Sequence, residues 1–200
     1  QEWVFPAEES KNGNMFYAPA VQDSDGRVFV GTFHDKFYAF ERPGKALWSF
    51  PTGGAIIGRA TVVKDTVYVG ANDRKVYALS ADGGSEKWAF DTENWNWASP
   101  VYTDGLLYVA SMDHHVYCLD AENGSKKWNF KAGGAVADSP LLAEDKVFFG
   151  DYSRRVHALD AANGQEVWSF STDHWVWGAP AYYAGLVYAG DLSGKLYALD

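Results

Sequence analysis

The sequence predicts an all-β fold built from repeated four-stranded antiparallel sheets, and three observations support this. The same motifs return about every forty residues, each repeat contains four short apolar runs, and Gly often follows Asn or Asp where a run ends. Runs of four to six residues have the length of strands, and Gly supplies the positive φ that tight hairpin turns need. A period of this size indicates a repeat architecture.

Each repeat carries its four elements in the same order, and we name the corresponding strands A to D. Strand A follows a Pro motif, as in ASPVY and GAPAY. Strand B reads VYVG or VFFG, strand C reads LYAL or VYCL, and strand D carries a W-x-F pair. Short connections favour a meander in which each strand pairs with the next. The W-x-F pairs are Trp3/Phe5, Trp48/Phe50, Trp88/Phe90, Trp128/Phe130 and Trp168/Phe170.

A single four-stranded sheet with aromatic residues on both faces cannot bury them alone. Radial stacking of such sheets does bury them, and the result is a β-propeller. We therefore interpret the repeated Trp of strand D as packing between neighbouring blades. Stretches such as VYVGANDRKVYALSADGGSEKWAF and VYCLDAENGSKKWNF resemble the pyrroloquinoline-quinone (PQQ) type propeller repeat, and the resemblance covers essentially the whole chain. It implies that strand A lies nearest the axis and strand D outermost.

The two chain ends predict how the ring closes. The chain begins with QEWVF and ends with GKLYALD, which together read like the internal stretch of strands C and D. We expect one domain, 1–200, of five blades, with Trp3 and Phe5 pairing against the strand Leu196–Leu199. The alternative is an arc from a propeller of seven or eight blades, the usual size in this family. The expected repeats are 1–14 with 177–200, 15–52, 53–92, 93–132 and 133–176.

Composition excludes several kinds of site. The net charge of −9 disfavours a broad nucleic-acid surface, and no apolar run approaches the length of about 20 residues that spans a membrane. Cys118 is the only cysteine, so an internal disulfide and a cysteine-based zinc site are excluded. Because other repeats carry Ala at this position, we expect Cys118 to be a buried small hydrophobic residue.

In a meander, the D-to-A and B-to-C connections lie at one end of each sheet, which we name the loop end. The A-to-B and C-to-D turns lie at the opposite turn end. The D-to-A segments carry Trp95 and Trp97 in one repeat, Trp175 and Trp177 in another, and Phe16 and Tyr17 when Pro19 is aligned with Pro100. The intervening repeats carry GGAIIGRA and GGAVADSP, so bulky and small segments alternate. Packing between blades would explain a Trp in every repeat, whereas alternation favours a binding role.

The B-to-C turns concentrate cationic and His residues at the same end. The family commonly has Asp-Gly there, but only the last repeat keeps Gly. A residue other than Gly at positive φ costs on the order of 1 kcal/mol. Solvated charges that balance nearby Asp are one explanation. The other is a ligand site, because Trp stacks on flat groups and Arg binds carboxylates. The candidate ligand-binding residues are Trp95, Trp97, Trp175, Trp177, Phe16, Tyr17, Arg74, His114, Arg154 and Arg155.

Catalytic and metal sites find little support in the sequence. The five His residues lack regular metal spacing, although four of them fall at the loop end, and His157 replaces a repeated Tyr, which favours a core position. Quinoprotein dehydrogenases of the resembled family are much longer and carry adjacent cysteines and a calcium site. We therefore expect no catalytic residue, no metal and no cofactor.

Two functions stay open at this stage. The resemblance to the outer-membrane protein assembly lipoprotein implies an exported, periplasmic or cell-surface scaffold that binds a protein partner through its loop end. The alternative is a module that binds a small anionic, aromatic or sugar ligand, or a glycan, at the Trp pairs near the axis. A fragment of a PQQ-dependent dehydrogenase is less favoured than either of these.

Overall fold

The computed structural model describes residue 5 and residues 15–200. These residues form nineteen strands and no helix. The chain divides into two compact units, residues 1–95 and 96–200. The predicted fold class, an all-β propeller of four-stranded antiparallel sheets, is confirmed. The predicted pairing of Trp3 lies outside the described residues.

Unit 1 contains two four-stranded sheets, each in the order A-B-C-D. Sheet 1 comprises β1 Val21–Gln22, β2 Val28–Gly31, β3 Lys36–Glu41 and β4 Lys45–Pro51. Sheet 2 comprises β5 Thr61–Val63, β6 Thr66–Ala71, β7 Lys75–Ser80 and β8 Glu86–Asp91.

Unit 2 contains three sheets with the same strand order. Sheet 3 comprises β9 Val101–Thr103, β10 Leu106–Ala110, β11 His115–Asp120 and β12 Lys126–Lys131. Sheet 4 comprises β13 Leu141–Ala143, β14 Lys146–Asp151, β15 Arg155–Asp160 and β16 Glu166–Ser171. Sheet 5 has three strands among the described residues, β17 Ala181–Tyr183, β18 Leu186–Gly190 and β19 Leu196–Leu199.

Strands B and C form the core of each complete sheet because they are apolar on both faces. Val67, Val69 and Leu79, for example, are fully buried. Cys118 is also fully buried, and burial raises the pKa of its thiol to about 11. It therefore behaves as the small hydrophobic residue that was expected.

The repeated Trp of strand D packs against the next sheet, as its repetition predicts. The Nε1–H of Trp48 donates to the Ala81 carbonyl at 2.9 Å, and that of Trp128 donates to the Ala161 carbonyl at 3.0 Å. Each indole lies against a C-to-D turn glycine with positive φ, Gly84 or Gly164, where a Cβ would overlap the ring. These glycines are therefore required both for the turn and for packing between sheets.

Phe5 contacts sheet 1 in the same way as the phenylalanine of another strand D contacts the sheet that follows it. Its ring centroid lies 5.4 Å from that of Tyr38, and the equivalent pair Phe50 and Tyr77 are 5.2 Å apart. This contact agrees with a role for Phe5 in an outer strand. Its pairing with Leu196–Leu199, the five-blade count and the closed ring stay predictions.

Candidate functional site

The D-to-A segments share one backbone conformation in both units. The Ala135 carbonyl accepts a hydrogen bond from the Tyr152 amide, and the Trp175 carbonyl accepts one from the Leu192 amide, both at 3.0 Å. In unit 1, the Ala55 carbonyl accepts equivalently from Asn72 at 2.8 Å. The segments therefore fold in the same way whether they carry tryptophan or alanine.

The middle residue is a buried anchor in the four segments that precede sheets 2 to 5. Val176 is 1% exposed, and its amide donates to the Asp151 carbonyl of the preceding sheet at 3.2 Å. A Cβ on Gly150 would overlap the Val176 side chain, so this glycine provides the space for the anchor. Because side chains alternate along extended backbone, Trp175 and Trp177 both lie on the opposite side, 43% and 47% exposed.

Four aromatic rings meet at the loop end of unit 2, and we name Trp97, Tyr152, Trp175 and Trp177 the aromatic cluster. The rings of Trp97 and Trp177 are 6.5 Å apart between centroids. Tyr152 stacks on Trp175 at 5.0 Å with an interplanar angle of 11°, and it lies 5.5 Å from Trp177. The structure therefore brings together three of the predicted tryptophans.

We infer a steric reason for the alternation of bulky and small segments in unit 2. Trp97 precedes sheet 3 and Trp177 precedes sheet 5, yet their rings are in contact. The segment between them carries Ala135 and Ala137, and both are buried. A bulky side chain at residue 137 would compete for the space in which the two indoles meet.

Sequence reasoning did not single out Tyr152. The residue begins the B-to-C turn of sheet 4, where other repeats have Phe33, Asn72, Met112 and Leu192. Burial raises the pKa of its hydroxyl, and the nearby Asp138 carboxylate adds to this effect. The available signal was an aromatic residue in a turn at the same end as the Trp-bearing segments. The sequence alone does not show that Tyr152 contacts Trp175 and Trp177, which belong to a different repeat.

The predicted cationic residues of unit 2 occupy different positions. Arg154 is exposed in the same turn as Tyr152, with a φ of 69°, and its carbonyl accepts from the Thr172 amide at 2.9 Å. Arg155 reaches the outer strand instead, where its Nη1 donates to Ser169 Oγ at 3.0 Å. His114 is exposed with a φ of 74°. Of these three residues, Arg154 shares its turn with a member of the aromatic cluster.

Unit 1 presents its own predicted residues at its loop end. Trp95 is 47% exposed, and Arg74 is exposed with a φ of 70°. The Tyr17 ring lies 6.4 Å from that of Phe33. Phe16 lies 6.1 Å from Tyr38.

The backbone refines the alignment of the first D-to-A segment. The Phe33 amide donates to the Met15 carbonyl at 2.7 Å, as the Leu192 amide donates to that of Trp175. Met15 is therefore the structural equivalent of Trp175, and Tyr17 that of Trp177. The alignment on Pro19 places this segment one residue out of register, since it sets Phe16 at the second tryptophan position.

A carboxylate binds the D-to-A backbone in sheets 2, 4 and 5, but it comes from two sequence positions. In sheets 4 and 5, Asp151 accepts from the Gly134 amide at 3.2 Å, and Asp191 accepts from the His174 amide at 3.0 Å. In sheet 2, Asp73, two residues further along its repeat, accepts from the Gly53 amide at 2.7 Å. Asp113 stands at that same later position in sheet 3.

Each of these carboxylates also contacts the Tyr or His at the second position of the LYAL-type motif of strand C. Tyr77, Tyr117 and Tyr197 donate their hydroxyl groups to it at 2.5, 2.7 and 3.0 Å. His157 replaces the Tyr in sheet 4, where its Nε2 lies 3.3 Å from Asp151. His157 is 3% exposed, which confirms its predicted core position.

The polar chain around Asp151 does not provide a nucleophile and base. Ser153 Oγ donates to Asp151, and Asp151 contacts His157, whose Nδ1 lies 2.7 Å from Glu166. A hydrolytic triad requires the serine to contact the histidine. Burial alone would raise the pKa of Asp151, but the hydrogen bonds from His157 and Ser153 outweigh it and hold the pKa below its ordinary value. These hydrogen-bonded side chains are therefore suited to holding the D-to-A backbone in place.

The turn end of unit 2 has a cleft of about 550 Å³ between sheets 3 and 4. Its lining includes Asp104, Glu144, Asp145 and Asp160 beside Tyr108. The Tyr108 hydroxyl donates to the Ala161 carbonyl at 3.1 Å and so joins the two sheets.

Within residues 15–200, no group of three or more His, Cys, Asp or Glu side chains is arranged to hold a metal ion. The part of the chain that the structure describes also has no helix long and apolar enough to cross a membrane.

Comparison with solved structures shows the fold. BamB from Moraxella catarrhalis superposes with a TM-score of 0.84 at 18% identity, over 92% of this chain and 61% of that one. The computationally designed Ika8 protein gives 0.80 at 15% identity, over 90% and 57%. The quinohemoprotein alcohol dehydrogenase ADHIIG from Pseudomonas putida HK5 gives 0.78 at 17% identity, over 94% and 40%.

Sequence comparison shows the family. Curated protein sequences give no match. A family model described as outer membrane protein assembly factor BamB matches residues 3–98 and 92–200. These matches together cover nearly the whole chain, whereas the chain spans less than two thirds of the BamB structure. The chain belongs to the BamB family of PQQ-like repeat proteins.

Proposed function

We propose that this chain is a non-catalytic scaffold of the cell envelope that binds a protein partner through its loop end. The observation that carries the proposal is the set of exposed apolar residues at that end. In unit 2, Trp175, Trp177 and Leu192 are each between 43% and 54% exposed. Exposed apolar residues grouped in this way are typical of interaction surfaces, and aromatic residues are enriched at their centres.

Family membership supports the same proposal. The matching family is described by its role in outer membrane protein assembly, which implies an exported protein that works through protein partners. The predicted five-blade arrangement is also part of this proposal.

A PQQ-dependent dehydrogenase is disfavoured by the residues present. The quinoprotein resemblance implies adjacent cysteines and a calcium site. This chain has the single Cys118, which is buried within sheet 3, and residues 15–200 lack a suitable group of acidic side chains. We expect no dye-linked oxidation of alcohols or sugars above a no-protein control when PQQ and calcium are added. Turnover above that control would overturn the non-catalytic assignment.

Photo-crosslinking tests the scaffold proposal. A photoreactive phenylalanine analogue replaces Leu192 at the loop end, and a matched variant carries it at Tyr183, an exposed residue near the turn end of the same sheet. In the host cell, the Leu192 position is expected to crosslink to one recurrent envelope protein, and the Tyr183 position is not. Equal crosslinking from both positions, or none from Leu192, would contradict binding through the loop end.

A further inference from the structure

We propose that the aromatic cluster, together with Arg154, binds a short acidic peptide segment with an aromatic or large apolar side chain next to its carboxylate. This proposal rests on the proposed scaffold function and names the chemistry of the segment that is bound. All of its residues lie in unit 2, between Trp97 and Trp177.

The tryptophans are not needed to fold the segment that carries them. Residues 135–137 make the same backbone hydrogen bonds as residues 175–177, with alanine in place of both tryptophans. The buried anchor is Val136 in one segment and Val176 in the other. Trp175 and Trp177 thus expose about half of their surface although alanine would satisfy the fold. A stacking surface for a partner explains this use of large apolar side chains.

The carboxylates near the cluster are already engaged. Asp138 accepts from the Ser139 amide through Oδ1 at 2.6 Å, and from the Ala179 amide through Oδ2 at 2.9 Å. Asp151 accepts from Ser153, Gly134 and the Arg155 amide. Because both carboxylates are directed at the protein's own backbone, a sugar would find few acceptors here for its hydroxyl groups.

Arg154 supplies the charge that selects the ligand. The residue is exposed, follows Tyr152 by two positions in the same turn, and has no ion-pair partner within the described residues. Guanidinium binds carboxylate through paired hydrogen bonds. The chain as a whole has a net charge of −9, which disfavours polyanions such as nucleic acid. A segment with one or two carboxylates beside an aromatic side chain matches both the cation and the ring surfaces.

A displayed library of random seven-residue peptides identifies the segment without assuming its sequence. The library is selected against the full chain, and its consensus peptide is then titrated by tryptophan fluorescence and calorimetry. We expect enrichment of Asp or Glu next to Trp, Tyr or Phe. Replacement of the acidic residues by Asn or Gln should weaken binding at least tenfold.

Matched variants locate the binding site. Trp177→Ala and Arg154→Gly are each expected to weaken binding about tenfold, and glycine suits the positive φ at residue 154. Arg155→Ala, which alters the neighbouring arginine directed toward the outer strand, is expected to change affinity less than twofold. Thermal unfolding of each variant confirms that it is folded. Affinity should also fall as salt is raised.

Several results would overturn the proposal. These are a library without acidic and aromatic enrichment, equal binding of the Asn and Gln peptide, unchanged affinity in Trp177→Ala and Arg154→Gly, or glycan-array binding in place of peptide binding. Loop-end crosslinking in the Trp177→Ala background separates this proposal from the scaffold function. Retained crosslinking together with lost peptide binding means that the partner docks through other loop residues, so the scaffold proposal stands and the aromatic cluster is not the site that holds the partner.

Discussion

Two segments of unit 2 have the same backbone and different surfaces. Residues 135–137 and 175–177 each anchor one buried valine and accept a hydrogen bond from the following B-to-C turn at 3.0 Å. One segment shows two buried alanines, and the other shows two half-exposed tryptophans. The comparison separates what folds the loop from what the loop presents. Anchor and backbone are shared requirements, whereas the flanking side chains are free to serve binding.

The largest expected effect concerns the anchor. Gly150→Ala places a Cβ where the Val176 side chain lies, so we expect the free energy of unfolding to fall by about 3 kcal/mol. Urea denaturation followed by tryptophan fluorescence measures this change. Gly178→Ala is the matched control, because no atom lies within 4 Å of a Cβ at Gly178. A similar loss of stability in both variants would show that the anchor is not the shared requirement.

The next effect concerns the small residues of the first segment. Ala137→Trp is expected to destabilise the protein by about 2 kcal/mol, because a third indole would enter the space where Trp97 and Trp177 meet. Combining Ala137→Trp with Trp177→Ala should restore most of the stability. A double-mutant cycle in urea measures this coupling. Additive effects would mean that the alternation of bulky and small segments has no steric origin.

Because the Asp151 carboxylate holds the D-to-A backbone, the free energy of unfolding is expected to depend on pH in the acid range. The pKa of Asp151 is lowered in the folded protein, so Asp151 stabilises the fold above its unfolded pKa of about 4, and this contribution is lost as pH falls through the folded pKa. Asp151→Asn should cost about 1 to 2 kcal/mol near neutral pH, because the donors around it lose an acceptor. Urea denaturation between pH 2 and pH 7 should show a shallower acid loss in the variant. An unchanged acid profile would contradict this role.

The repeat period predicted much of the fold. Strand order, the division into loop end and turn end, and the packing of Trp48 and Trp128 against the next sheet all follow from a forty-residue pattern. The same pattern could not predict the source of the carboxylate, since Asp73 and Asp191 occupy different positions in their repeats and accept from equivalent backbone amides, those of Gly53 and Asp173. That equivalence exists only in three dimensions.

The candidate site was predicted in part, for a similar reason. The tryptophan pairs are visible as a repeated motif, and three of the four tryptophans, Trp95, Trp175 and Trp177, are exposed. Tyr152 joins them through contacts with a segment more than twenty residues away. Arg154 and Arg155 are adjacent in sequence, but Arg155 contacts the outer strand. The two arginines differ in role because their side chains point in different directions at the start of strand C. The pattern of charges in the sequence does not show these directions.

The smallest expected effect on stability concerns Arg154, which holds a φ of 69° in a turn where sheet 5 uses Gly194 at 88°. Arg154→Gly should raise the free energy of unfolding by up to about 1 kcal/mol, because glycine adopts this conformation without steric cost. The same substitution should weaken binding of the acidic peptide, so stability and affinity change in opposite directions. Gly194→Arg is the reciprocal variant and should lower stability by a similar amount. Denaturation and calorimetry on the same samples measure both quantities. If Arg154→Gly lowers stability, Arg154 is a structural residue and its strained conformation is no sign of a binding role.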